Sequence, residues 1–216
     1  MADSMFFRHM AIAAILSCAL PASAGIYDDI LSAANMNNSA QVVDLLQRGM
    51  DVNTADRSGN TLLMIAARNN NLVLADFLLR NKANVLKRNS YGDSALMLAA
   101  LRGNVEVVKR LLDAHVPVEH DGWNALHYAA YAGQVQVVRM LVAANENLDL
   151  DAAAPNGQTA LMLAAGNGRL DAVRVLIDAD ADMDIEDSDG LTAVMLATKA
   201  GHMDVVEYLR ESGAVE

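Results

Sequence analysis

The nearest thing in this chain to a metal-ligand set is His115, His120 and His127 together with Asp121. Imidazole and carboxylate suit zinc or copper, but the spacing fits none of the usual ligand frameworks, so no metal is expected. Met64, Met97, Met162 and Met195 recur through the chain and can be read as a soft-metal ladder or as core packing. Packing is the reading adopted, because a flexible thioether fills irregular apolar gaps. Asp178, Asp180, Asp182, Asp184, Asp187 and Asp189 crowd one stretch but lack the glycine and terminal glutamate of a calcium loop, and read as solvated acids. Gly166-Asn167-Gly168 falls short of a phosphate-cradling glycine loop. The single cysteine, Cys18, lies in an apolar N-terminal stretch, and no serine has a supporting His–Asp pattern. These residues predict no catalytic group and no cofactor.

The elements that carry them are repeated. Gly122-Trp123-Asn124-Ala125-Leu126-His127-Tyr128-Ala129-Ala130 has counterparts beginning at Gly59, Gly92, Gly157 and Gly190, spaced 33, 30, 35 and 33 residues apart. A self-similar period in this range indicates stacked units rather than one globular core. Each leading glycine supplies a backbone conformation that a Cβ would resist. Two residues on, Thr61, Ser94, Asn124, Thr159 and Thr192 stand where a side chain caps a helix. A first helix follows, then a left-handed turn at Asn70, Gly103, Gly133, Gly168 or Gly201. A second helix carries paired apolar residues such as Val107 and Val108 with Leu111 and Leu112. In the last unit Arg210 replaces an apolar residue and reads as a cap facing water. The finger before Gly122 is three residues short, and the next is two longer, holding Ala152-Ala153-Ala154-Pro155.

The motif resembles the ankyrin repeat, with Leu62, Ala95, Ala125, Ala160 and Ala193 in the family's proline slot and mostly methionine in its histidine slot. That resemblance implies an all-α solenoid of helix-turn-helix units joined by hairpin-like fingers. It also makes His127 a residue that hydrogen-bonds within its own repeat. The expected boundaries are an N-terminal capping unit at 26–53, repeats at 54–86, 87–118, 119–151 and 152–184, and a C-terminal capping repeat at 185–216. In the capping unit, Ile26, Ile30, Leu31, Ala33 and Ala34 supply the apolar stripe, with Asp28 and Asp29 placed to favour the helix start. The resemblance further implies a binding surface of fingertips and first-helix ends. On it the central units place Tyr91, Leu101, Arg102, Trp123 and Tyr131, and tryptophan, tyrosine and arginine are the residue types that dominate interface hot spots. Tyr128, Leu98, Leu163 and Leu196 share a slot assigned to the core. Packing of Trp123 on Tyr131, merely stiffening the groove, is the rival reading.

Residues 1–24 read as a secretory signal peptide: Arg8 and His9, an apolar run from Met10 to Leu20, and Ala22-Ser23-Ala24 as the cleavage site. Lipidation at Cys18 is the alternative. The expectation is a bacterial, periplasmic, monomeric chain spanning 25–216 after cleavage, with no membrane span. A net charge of −11 and the absence of a basic run oppose nucleic-acid binding. A hydrophobic content of 53% with only 4% aromatics fits closely stacked short helices. The sequence therefore predicts a non-enzymatic module that binds another protein. Its rivals are an inhibitor or immunity-type protein, and an accessory or chaperone-like factor for a periplasmic enzyme.

Overall fold

The computed structural model describes residues 20–118, 122–145 and 148–214. Most of the expected signal segment, residues 1–19, lies outside them, as do His120 and Asp121. Among the described residues there are twelve helices, in pairs: α1 (Leu20–Asn35) with α2 (Ser39–Gln47), α3 (Leu62–Arg68) with α4 (Leu72–Arg80), and α5 (Ala95–Arg102) with α6 (Val105–Asp113). Then come α7 (Ala125–Ala132) with α8 (Val135–Ala144), α9 (Ala160–Gly166) with α10 (Leu170–Asp178), and α11 (Ala193–Ala200) with α12 (Met203–Glu211). First helices stack on first helices and second on second, giving the all-α solenoid. Ala66, Ala67, Ala99, Ala100, Ala129, Ala130, Ala164 and Ala165 are all fully buried, so the first helices approach with only a methyl group between backbones.

The five expected caps all form: Thr61, Ser94, Asn124, Thr159 and Thr192 each accept the N–H three residues on. The reciprocal half of the box is made by the residue in the histidine slot. His127 Nδ1 accepts the Asn124 N–H at 3.3 Å, and Met64 and Met97 Sδ accept the Thr61 and Ser94 N–H groups at 3.4 Å. A thioether thus substitutes for an imidazole as a weak acceptor. Met64, Met97 and Met162 are buried, as the packing reading requires. Met195, on the last first helix described, is 36% exposed.

The turns between paired helices are left-handed as expected, with φ 56° at Asn70 and 66–80° at Gly103, Gly133, Gly168 and Gly201. At Gly133 this is also a matter of space. A Cβ there would lie 2.7 Å from Arg169 Cδ, whose guanidinium Nε reaches back to the Tyr131 carbonyl at 3.2 Å. Asn104 and Gln134 make the same reach to Ala67 and Leu101, tying each repeat to the one before. Two expectations shift. Leu20–Asn35 is helical throughout, so Asp28 and Asp29 stand exposed in mid-helix rather than at its start. The fingers are hairpin turns with a single bridge, Ala55 to Thr61, and no named strand among the described residues.

Candidate functional site

The fingers differ from one another, and the difference makes the site. In three of them an acid or amide clamps the turn: Asp56 Oδ1 accepts the Ser58 and Asn60 N–H groups, Asn89 Oδ1 those of Tyr91 and Asp93, and Asp187 Oδ1 those of Asp189 and Leu191. Neighbouring fingers are also joined at each end of the stack, where Ser90 N–H donates to the Ser58 carbonyl at 2.8 Å and Ser188 N–H to the Asn156 carbonyl at 3.1 Å. The finger leading to α9 lacks the clamp and, although its Asn156 carbonyl accepts from Ser188, it offers no N–H toward the finger before it. Ala154 stands in the clamp position, and Pro155 stands where Ser90 and Ser188 donate, with no N–H to give. A Cβ on Gly59 or Gly157 would meet the next finger's backbone at 3.3 or 2.6 Å.

A groove of about 530 Å³ lies between the second finger and the repeats beyond it. Tyr91 projects from its fingertip, 78% exposed, and Leu101 comes from the end of α5. Trp123 is the residue before the α7 cap, so the capping geometry at Asn124 fixes where its indole starts. The indole packs edge-on against Tyr128 (centroids 5.3 Å, 62°) and Tyr131 (6.1 Å, 70°), and Pro155 forms the far rim. Asp93 and Met97 complete the floor.

Tyr128 donates its hydroxyl to Asp93 Oδ1 at 2.6 Å, and Asn89 Nδ2 donates to Asp93 Oδ2 at 3.1 Å. Burial, the bond to Asp93 and that residue's negative charge together hold the Tyr128 phenol far above its ordinary range. The hydroxyl–carboxylate bond joins α7 to the second finger across the groove floor.

Four of the five residues predicted from sequence, Tyr91, Leu101, Trp123 and Tyr131, therefore line one groove. Arg102 does not; it is exposed at the last position of α5, beside Leu101. Both readings of Trp123 hold in part, since it packs on Tyr131 and lines the groove as well. Tyr128 corrects an expectation: unlike Leu98 and Leu163, which are buried in the same slot, it is only partly covered and lines the site. A phenol among leucines was the available clue, because a covered hydroxyl requires a partner. Of the histidine cluster, His127 is buried with Nδ1 accepting the Asn124 N–H, and His120 and Asp121 lie outside the described residues.

The family model for ankyrin repeats (3 copies) matches residues 13–89, 30–120, 74–154 and 143–215. The chain belongs to the ankyrin-repeat family. It is 32% identical over 169 residues to a nuclear factor NF-kappa-B subunit of Gallus gallus, covering 74% of this chain and 17% of that protein. It is 31% identical to the E3 ubiquitin-protein ligase XBAT33 of Arabidopsis thaliana, covering 73% and 30%. The ankyrin chain thus spans less than a third of the length of these curated relatives. Solved structures match over nearly their whole length. The ankyrin repeat protein EF0377 aligns with TM-score 0.74 and 31% identity, over 85% of this chain and 96% of that one. A chain of the complex between the Bd0816 predatory endopeptidase of Bdellovibrio bacteriovorus and the immunity protein Bd3460 aligns with TM-score 0.74 and 29% identity, over 85% and 97%. As an ankyrin-repeat protein it is a protein–protein interaction module.

Proposed function

We propose that this ankyrin protein is exported to the periplasm and, without catalysing a reaction, holds another protein against the aromatic groove of its central repeats. The observation that carries the reading is the groove itself. It gathers one tryptophan and three tyrosines on a chain that is only 4% aromatic. Tryptophan and tyrosine anchors in a preformed cleft give affinity at low ordering cost. Export is supported by the sequence of residues 1–24, and cleavage after Ala24 would keep the buried Ile30, Leu31, Ala33 and Ala34 of α1 in the mature chain. Among the described residues no helix is long and apolar enough to cross a membrane.

The test is affinity capture from a periplasmic extract, comparing wild type with the double variant Trp123→Ala/Tyr131→Ala at matched thermal stability. The proposal expects a protein recovered by wild type and lost by the variant. Equal recovery would move the site to another face. Amino-terminal sequencing of the mature protein should begin at Gly25, and an intact cytosolic chain would refute export. The structural match to a chain from an endopeptidase–immunity protein complex favours one second reading, in which the captured partner is a hydrolase that this protein inhibits. A stoichiometric complex that abolishes the partner's activity would distinguish it.

A further inference from the structure

We infer that Asn156 and Gly157 form a self-modifying pair: the Gly157 nitrogen closes on the Asn156 side chain, expels ammonia and leaves a succinimide that water opens to aspartate or isoaspartate. The inference is independent of the function proposed above, since it needs no partner. An asparagine followed by glycine is open to this reaction because no Cβ shields the attacking nitrogen. Such pairs occur in the chain at Asn156–Gly157 and at Asn167–Gly168, and the fold treats them differently.

Asn156 is exposed in the finger leading to α9, and two N–H groups bear on the reacting atoms. The Gln158 N–H donates to Asn156 Oδ1 at 3.3 Å, a turn that folds the side chain back over its own backbone. The side-chain carbonyl is thereby held along the Gly157 amide, with a donor on the oxygen where negative charge develops as the nitrogen adds. The Ser188 N–H donates to the Asn156 main-chain carbonyl at 3.1 Å. That carbonyl belongs to the same amide as the attacking nitrogen, so the donor stabilises the anion formed when the amide loses its proton. At the second pair both supports are missing. No described group donates to either oxygen of Asn167, and its Nδ2, the leaving group, is tied to the Leu163 carbonyl at 2.8 Å across the last turn of α9. The attacking nitrogens are otherwise alike, each donating within its own turn, Gly157 to Ala154 at 2.8 Å and Gly168 to Ala165 at 3.1 Å.

In the reaction water or hydroxide takes the Gly157 proton, the bond from nitrogen to Cγ forms, the bond from Cγ to Nδ2 breaks, and ammonia departs. Water then opens the ring. Opening at Cγ gives aspartate, whereas opening at the main-chain carbon routes the backbone through Cβ and gives isoaspartate. Either product sets a carboxylate beside Pro155 of the groove rim, and isoaspartate also moves the carbonyl that Ser188 holds out of the main chain.

The test holds the full chain in mildly alkaline buffer, folded and in denaturant, and follows each asparagine by fragmentation mass spectrometry, with isoaspartate counted by enzymatic methylation. In the folded protein Asn156 should convert about tenfold faster than Asn167, the worth of a hydrogen bond that the slower site must first break. Denaturant should bring the two rates together, because the fold alone tells the pairs apart. Ser188→Pro removes one donor by copying the residue that the finger leading to α9 carries at that register. It should slow Asn156 about fivefold and leave Asn167, the internal reference, as it was. The assignment is overturned if the folded rates are equal, if Asn167 leads, if the difference survives denaturant, or if Asn156 is indifferent to Ser188→Pro. Should the proline loosen the fold, the Asn167 rate rises with it, and the folded against denatured comparison of the wild type decides alone.

Discussion

The finger leading to α9 and the fingers of Asp56, Asn89 and Asp187 are built from the same turn, and they differ by a handful of atoms. Asp56, Asn89 and Asp187 clamp their turns, and backbone bonds join Ser90 to Ser58 and Ser188 to Asn156. In the finger leading to α9, Ala154 and Pro155 remove a clamp and a donor, and Pro155 lines the aromatic groove. The fingers thus differ in their hydrogen bonds while the helices beneath keep one pattern. The comparison teaches that a repeat protein can make a site by local omission, because the inter-repeat core carries the stability and leaves the fingers free to vary.

If the difference lies in the fingers alone, core truncations should be blind to it. Leu126→Ala in the central repeat and Leu161→Ala in the next remove side chains buried to the same degree, and each should cost ~2–5 kcal/mol in chemical denaturation. A large disparity would mean that the helices also differ. A finer contrast is Gly157→Ala against Gly190→Ala. The two glycines have φ 81° and 75°, but at Gly157 the methyl would lie 2.6 Å from the Ser188 nitrogen, whereas at Gly190 the nearest described atom is the far end of Glu186 at 3.8 Å. Strain alone should cost about 1 kcal/mol at Gly190, and strain with displacement about 3 kcal/mol at Gly157. Equal losses would mean that contact between fingers adds nothing to the strain. Tyr128→Phe deletes the bond that spans the groove floor and leaves an Asp93 oxygen without its donor, a loss of about 1–2 kcal/mol.

The smallest effects are in pH. The folded value of Tyr128 lies above that of the unfolded chain, so its contribution is fully present below pH ~10 and is lost as pH rises toward the folded value. Tyr128→Phe should therefore lose stability less steeply above that pH, and a tyrosinate absorbance titration should lose its latest step. Asp187 behaves oppositely. Burial would raise its value, but the N–H groups of Leu191 and Asp189, the Gln158 amide and nearby Lys199 outweigh this and hold it below the usual carboxylate range. Its contribution is present above pH ~4 and is lost as pH falls further. Asp187→Asn, which keeps the clamp that Asn89 already makes in another finger, should flatten the acid side of the stability curve.

The fold was legible because repetition is a redundant message: five glycines, five caps and five left-handed turns were readable, and the structure places all of them as expected. The site was legible in part. Tyr91, Trp123 and Tyr131 stood out as aromatics at variable positions, but Tyr128 hid in a slot that leucine fills in other repeats. Whether a side chain there is covered depends on the length of the neighbouring finger, a contact between repeats that pattern within one repeat does not encode. Pro155 was visible as an irregularity; its meaning as a missing donor required knowing that Ser90 and Ser188 donate from the same register. Arg102 shares the helix end with Leu101, but helical geometry turns adjacent residues to different faces.

The thioethers at the capping-box position have one more consequence. A sulfur that can accept an N–H can also accept an oxygen atom from peroxide, becoming a bulkier, chiral sulfoxide. Met64, Met97 and Met162 are sealed in their repeats, so an oxidant reaches them only when that repeat opens, while Met195 meets it in the native state. The chain therefore carries chemically identical witnesses at one structural address in several of its units, and the order in which they are marked is a written history of which part of the stack comes apart first.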